Sequence, residues 1–290
     1  MDRADELAHL FDSVVGTVTL RASDPGLQRN FYEQGIGLAT TSEEGSVTEL
    51  RGEGEHPLVR LDATTSAGAE PVRVPHTGLF HTAFRYPDRA SLAAAVVRTS
   101  TLAREFQGAS DHGVSEAVYF ADPEGNGIEL YFDRPMDEWP EAEAGKVAMF
   151  TAPLDLPALL EKAAPEGDAK DPDIGHIHLM TADVGEAVSF WRDGVGLDER
   201  QRFGPSAAFL AEGLYHHHIG ANSWHSAGAG PAPADRPGLA SFELRLRSDD
   251  AVGQAQEGLE RAGVAVEAHD GSLRFRDVDQ NLVLLTTRDG

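Results

Sequence analysis

Two short phrases occur twice in this chain and decide its architecture. Residues 15–20 read VGTVTL and residues 174–179 read IGHIHL. Residues 31–38 read FYEQGIGL and residues 190–197 read FWRDGVGL. Both copies keep the glycines and the apolar positions, so the chain is an internal repeat. Only the later copy carries histidine, and this difference indicates where the chemistry lies.

Each half divides again, because a second strand and helix follow the repeated phrase. The pattern predicts an α+β fold of four βαβββ modules. In the first module, Asp24 and Pro25 are typical of an N-cap and first helical position. The predicted boundaries are modules 1 and 2 in residues 1–133 with a split near 70–77, a linker over 134–172, and modules 3 and 4 in 173–290 with a split near 226–238.

The individual elements are predicted from alternating and helical patterns. We expect helices near 25–35, 88–105, 156–164, 184–194 and 249–263. We expect strands near 14–22, 114–121, 127–133, 174–181, 215–220 and 239–247, and further strands up to about residue 61 and residue 287.

Composition excludes several classes of protein. The chain has 24 basic and 48 acidic residues, a formal charge of −24 that disfavours nucleic acid and anionic membranes as partners. It has no cysteine, so a metal must be held by His, Asp or Glu. No apolar run approaches the ~20 residues of a membrane-spanning helix. Residues 1–6 are acidic and unlike a signal peptide, which predicts a cytoplasmic location.

The second and fourth modules differ in their potential ligands. Where module 2 has His81, module 4 has Ser241, and where module 2 has Glu129, module 4 has Leu284. The middle two modules therefore retain the side chains that could bind a metal. Two histidines and one carboxylate form a facial site with open positions, and His81, Glu129 and His176 supply that set.

A family resemblance adds to this interpretation. The stretch DHGV at 111–114, the stretch VYFADPEGNGIEL at 118–130, GHIHL at 175–179 and YHHHIG at 215–220 resemble the vicinal oxygen chelate superfamily. The resemblance is greatest to extradiol ring-cleaving dioxygenases of the catechol 2,3-dioxygenase type, and it covers nearly the whole chain.

The resemblance implies the chemistry of the site. It implies that Fe(II), or alternatively Mn(II) or another divalent metal, is held by His81, Glu129 and His176. It also implies an acid/base histidine, a histidine near substrate and oxygen, and a tyrosine near the catechol oxygen, which correspond to His217, His112 and Tyr119. Phe80, Phe120, Trp191 and Trp224 are candidates for an aromatic pocket.

The resemblance also bears on how the modules pair. In the commonest family arrangement modules 1 and 2 close together, which would set Thr17 opposite His81 and leave neither half with a full ligand set. Pairing module 2 with module 3 gathers every matched residue in one cavity. We therefore expect crossed pairing, 2 with 3 and 1 with 4, in two open mixed β-barrel-like domains.

The predicted function is extradiol cleavage of catechol or a substituted catechol or hydroquinone by O2. One alternative is a glyoxalase-like lyase or isomerase, in which His217 would be a fourth metal ligand. Another is a metal-free small-molecule-binding protein. Open sheet edges also allow a homo-oligomer.

Overall fold

The protein is described by a computed structural model that covers residues 14–140, 146–165 and 167–288. The acidic start of the chain, on which the predicted location depends, lies outside the described residues. None of the helices in the described part of the chain is long and apolar enough to cross a membrane.

The strands are numbered in chain order. The first half contributes β1 Val15–Arg21, β2 Ala39–Glu44, β3 Val47–Arg51, β4 Val59–Asp62, β5 Gly78–Tyr86, β6 Glu105–Asp111, β7 Ser115–Ala121 and β8 Gly127–Asp133. The remainder contributes β9 Ala152–Pro153, β10 Asp173–Met180, β11 Asp198–Phe203, β12 Ala207–Ala211, β13 Ile219–Asn222, β14 Gly238–Leu246, β15 Glu267–His269, β16 Ser272–Arg276 and β17 Leu282–Thr287.

The described residues contain five α-helices. They are α1 Pro25–Asn30, α2 Arg89–Ser100, α3 Leu156–Leu160, α4 Val184–Ser189 and α5 Asp249–Arg261. The predicted cap is confirmed, because the Asp24 side chain accepts a hydrogen bond from the backbone N–H of Leu27.

The second repeated phrase has a structural meaning. Helices α1 and α4 each continue into a π-helical turn, Phe31–Ile36 and Phe190–Val195. Each turn ends at a glycine with positive φ, 101° at Gly37 and 92° at Gly196. Only glycine adopts this conformation at little cost, so the repeated glycines end these turns.

The predicted crossed pairing is confirmed. An eight-stranded sheet has the order β15-β16-β17-β14-β1-β4-β3-β2, and a nine-stranded sheet has the order β11-β12-β13-β10-β5-β8-β7-β6-β9. The first contains modules 1 and 4, joined by antiparallel β1 and β14, and the second contains modules 2 and 3, joined by antiparallel β5 and β10. Buried side chains of both sheets form one continuous core. The boundaries along the chain stay a prediction.

Two of the predicted elements are wrong. Residues 215–218 are not part of a strand, because β13 begins only at Ile219. The helix expected to reach residue 105 ends at Ser100, and β6 begins at Glu105. In both places the residue types suit the expected element, but hydrogen bonds to neighbouring segments determine where the observed element begins or ends.

Gly127 allows β8 to approach β5 closely beside the histidines. A Cβ at this position would lie 1.9 Å from the carbonyl oxygen of Phe80, a backbone atom with little freedom to move. We expect Gly127→Ala to lower the free energy of unfolding by about 1–3 kcal/mol, as overpacking does. Urea denaturation measures this loss. The control is Gly253→Ala in α5, where no atom lies within 4 Å and alanine should stabilise the helix by up to ~1 kcal/mol. Equal effects of the two substitutions would contradict the close approach.

Candidate metal and substrate site

Three predicted ligands meet on the nine-stranded sheet. In the strand register His176 pairs with Ala83 on β5, and Ala83 pairs with Glu129 on β8. Residues opposite each other on neighbouring strands share a face, and so do residues two apart on one strand, which adds His81 to the same face. The small side chain of Ala83 leaves the space between His176 and Glu129 open.

The geometry of this cluster suits a divalent cation. The Nε2 atoms of His81 and His176 lie 2.8 and 3.1 Å from the same oxygen, Oε2 of Glu129. One ligand atom from each residue lies within 4.8 Å of the other two. All three side chains are buried, and Nε2 of His81 forms no hydrogen bond within the described residues. A buried nitrogen that lies 2.8 Å from a carboxylate oxygen without hydrogen-bond geometry fits a metal ligand.

Electrostatics favour the same interpretation. Burial lowers the pKa of His176 to about 4, against the opposing effect of Glu129, so its imidazole is neutral at pH 7. Burial would raise the pKa of Glu129, but the neighbouring His176 and His81 hold it well below its usual range. The result is a carboxylate between imidazoles, a buried negative charge that a divalent cation would neutralise.

A cavity of about 340 Å³ opens beside the cluster. Its wall includes five apolar side chains, Phe80, Met149, Phe203, Phe209 and Trp224. Its polar wall includes four histidines, His81, His112, His178 and His217. This size and composition suit a small aromatic molecule. A larger groove of about 1140 Å³ beside α5 is lined by no histidine.

His112 and Tyr119 lie together at the cavity, as the sequence predicts. Nδ1 of His112 lies 2.8 Å from the carbonyl oxygen of Phe150, which can only accept, so Nδ1 carries the proton. With a single proton on the ring, Nε2 accepts from the Tyr119 hydroxyl at 2.7 Å. Burial, and then the nearby Glu129 carboxylate, raise the pKa of Tyr119 well above its usual range, so the phenol remains protonated.

His217 also reaches the cavity, although not from a strand. Its ring centroid lies 4.1 Å from that of His176, and its side chain is buried. Burial, followed by the neighbouring His176 and His216, lowers its pKa well below the usual range. Among the described residues it does not join the group of three ligand atoms.

Several lining residues were missed by the sequence analysis. Met149 and Thr151 come from the segment predicted as a linker, which thus contributes to the site. Of the four aromatic candidates, Phe80 and Trp224 line the cavity, whereas Phe120 and Trp191 are buried in the core. His178 also lines the cavity, and its position two residues after His176 in an alternating strand pattern was the available signal.

Comparisons with known proteins agree with this architecture. Residues 14–130 and 173–284 match the model of the Glyoxalase/Bleomycin resistance protein/Dioxygenase superfamily. The chain belongs to this superfamily. Among its relatives, the catechol-2,3-dioxygenase of Bacillus subtilis (strain 168) is 36% identical over 264 residues, covering 90% of this chain and 91% of the relative. The biphenyl-2,3-diol 1,2-dioxygenase 3 of Rhodococcus globerulus is 32% identical over 125 residues, 40% of this chain and 65% of the relative.

Two solved structures share the fold. A Bacillus subtilis protein provisionally assigned as a dioxygenase superposes with a TM-score of 0.64 at 16% identity, covering 95% of this chain and 86% of the other. Glyoxalase I from Zea mays superposes with a TM-score of 0.58 at 13% identity, covering 93% and 91%. At these identities the likeness concerns the fold alone.

Proposed function

We propose that this protein is an extradiol dioxygenase that opens the ring of catechol, or of a substituted catechol or hydroquinone, with O2. The observation that carries the proposal is the convergence of His81, Glu129 and His176 on one point at the wall of an aromatic cavity. The relationship to a catechol-2,3-dioxygenase over 90% of the chain supports it.

Fe(II) is the metal that this donor set fits best, because two imidazoles and a carboxylate leave positions open for two further reactants. Bound iron would supply Lewis acidity toward the catechol oxygens and a place for O2 to meet the ring. The negative charge of the Glu129 carboxylate holds the cation in the buried site. Mn(II) would suit the same ligands and is the alternative.

The protein's own residues hold the substrate and move its protons. Phe80, Phe209 and Trp224 offer apolar faces to an aromatic ring and exclude water from it. The Tyr119 hydroxyl donates its proton to His112, so its oxygen is free to accept a hydrogen bond from a catechol hydroxyl when the ring is bound. His217, neutral and at the cavity wall, is suited to accept a proton from a catechol hydroxyl and to return it later in the reaction.

A three-residue metal site favours oxygen chemistry over a glyoxalase-like reaction with four protein ligands. His217 was the candidate for the fourth ligand, but among the described residues its nitrogens do not join the group of ligand atoms formed by His81, Glu129 and His176. The six matched polar residues also distinguish the site from that of a metal-free binding protein.

Reconstitution with iron tests the proposal. The chain is loaded anaerobically with Fe(II), then given catechol and air, and oxygen uptake and absorbance are followed. We expect one O2 consumed per catechol and a yellow ring-opened semialdehyde. A site that binds iron but gives neither oxygen uptake nor colour with catechol or a substituted catechol would contradict the proposal.

A further inference from the structure

A line of buried polar side chains leads from His217, which lines the cavity, to two residues that do not line it. Nδ1 of His217 is 2.8 Å from Nδ1 of His216, and Nε2 of His216 is 2.9 Å from Oδ1 of Asp133. All three residues are buried, so water does not compete for these contacts. Asp133 closes β8, and the two histidines come from the irregular segment before β13, so the line joins modules 2 and 3.

Asp133 can only accept a hydrogen bond from His216. Its second oxygen, Oδ2, accepts from the Tyr215 hydroxyl at 2.6 Å and lies 3.7 Å from Nη1 of Arg85. With a cation and a hydroxyl donor on one oxygen, the carboxylate offers its other oxygen as an acceptor. His216 must therefore carry its proton on Nε2.

With one proton on each imidazole, this direction fixes the tautomers of both histidines. A neutral His216 protonated at Nε2 has a lone pair on Nδ1, which accepts from Nδ1–H of His217. A neutral His217 protonated at Nδ1 in turn has its lone pair on Nε2. We propose that His216 and Asp133 are positioning residues that hold His217 in the tautomer whose free nitrogen is available to a bound substrate.

The consequence rests on the proposed function, in which His217 takes a proton from the substrate. In the opposite tautomer Nε2 would carry a proton and His217 could not act as a base at the start of the reaction. The carboxylate of the Ser-His-Asp triad acts in this way on one histidine, and its replacement by Asn lowers kcat about 10⁴-fold through the wrong tautomer. Here the carboxylate would act through an intervening histidine.

Nitrogen NMR of the full chain tests the tautomer without any turnover. The metal-free protein is labelled with ¹⁵N-histidine, and the His217 signals are identified by their absence from His217→Gln. We expect a proton on Nδ1 and an unprotonated Nε2 in His217, and a proton on Nε2 in His216. Protonation of His217 at Nε2 overturns the proposal.

Substitution of Asp133 tests the consequence for the reaction. In Asp133→Asn the amide can turn its NH2 toward His216 and reverse the whole line of protons. We expect kcat with catechol to fall 100-fold or more (about 10⁴-fold in the simpler triad), with the KM and the iron content unchanged and the His217 proton moved to Nε2.

The matched control is Asp173→Asn. Asp173 accepts from the same Arg85, whose Nε lies 3.0 Å from its Oδ1, but within the described residues it forms no hydrogen bond with His216. We expect it to keep the wild-type kcat and tautomer.

An equal fall in kcat for both variants, or a fall in Asp133→Asn with the tautomer unchanged, would overturn the proposal. If Asp133→Asn does not fold, the wild-type spectrum alone decides. If the wild-type chain does not cleave catechol while the spectrum is as expected, the proposed function fails and the tautomer assignment stands.

Discussion

Glu129→Gln is expected to abolish tight iron binding while the chain stays folded. Glutamine has nearly the same shape, so the packing between His81 and His176 is kept. The substitution removes the only negative charge among the three ligands and replaces a carboxylate by a weak amide donor. Loss of a residue that only hydrogen-bonds to a metal ligand already costs about 10–100-fold in metal affinity. Loss of this ligand itself should therefore cost at least about 100-fold.

Iron content after gel filtration measures this result directly. The wild-type chain should retain close to one iron per chain, and the variant less than about a tenth of that amount. Thermal unfolding gives a second measurement, because a metal that binds only the folded state raises the melting temperature. Added Fe(II) should raise the melting temperature of the wild-type chain and leave that of Glu129→Gln unchanged.

Glu116→Gln is the matched control. Glu116 is also a buried carboxylate of the nine-stranded sheet, but it pairs with Nε of Arg89 at 2.7 Å and Nη2 of Arg134 at 3.2 Å. Its loss should lower stability and leave iron binding unchanged. Full iron retention in Glu129→Gln, or equal iron loss in both variants, would show that the metal lies elsewhere.

The pairing of the modules could be predicted because the repeats share their glycines and apolar positions but differ in their potential metal ligands. Thr17 and Ser241 occupy the places of His176 and His81, so an uncrossed arrangement would have divided the ligand set. The structure confirms the crossed arrangement by joining β5 to β10 and β1 to β14. A chemical requirement thus decided a topological question that hydrophobic patterns alone leave open.

The positions of the three consecutive histidines could not be predicted. An alternating strand would set His216 and His218 on one face and His217 on the other. Instead, the irregular segment directs His216 to Asp133 and His217 to the cavity, while Nδ1 of His218 accepts from the backbone of Glu212 at 3.1 Å. Asp133 and Glu212 are distant in sequence, so no local pattern indicates these contacts.

The cavity wall illustrates the same limit. Phe80 and Trp224 match Phe120 and Trp191 in residue type, yet the first pair lines the cavity and the second pair packs in the core. Which aromatic side chain faces a substrate depends on the curvature of the sheet and on the segment that covers it. Met149, which comes from that covering segment, is an example.

His217→Ala is expected to keep the metal and lose turnover. An acid/base residue contributes about 10²–10⁴-fold to a rate, so kcat with catechol should fall by this factor, equivalent to about 2.7–5.5 kcal/mol in the activation barrier. Iron content should stay at the wild-type value, because His81, Glu129 and His176 are unchanged. Stopped-flow oxygen uptake, with iron measured in the same samples, separates the two effects.

His218→Asn is the control for removing a buried histidine from this segment. His218 is buried beside His217 but is not among the residues that line the cavity, and the Asn oxygen can still accept the hydrogen bond from Glu212. Its turnover should stay within about twofold of wild type, since effects away from a functional site are small. Loss of iron from His217→Ala would instead identify His217 as a fourth ligand and favour the glyoxalase-like reaction. An unchanged kcat in that variant would mean that the proton is taken by another group at the cavity wall, with His112 the next candidate, because it also lines the cavity.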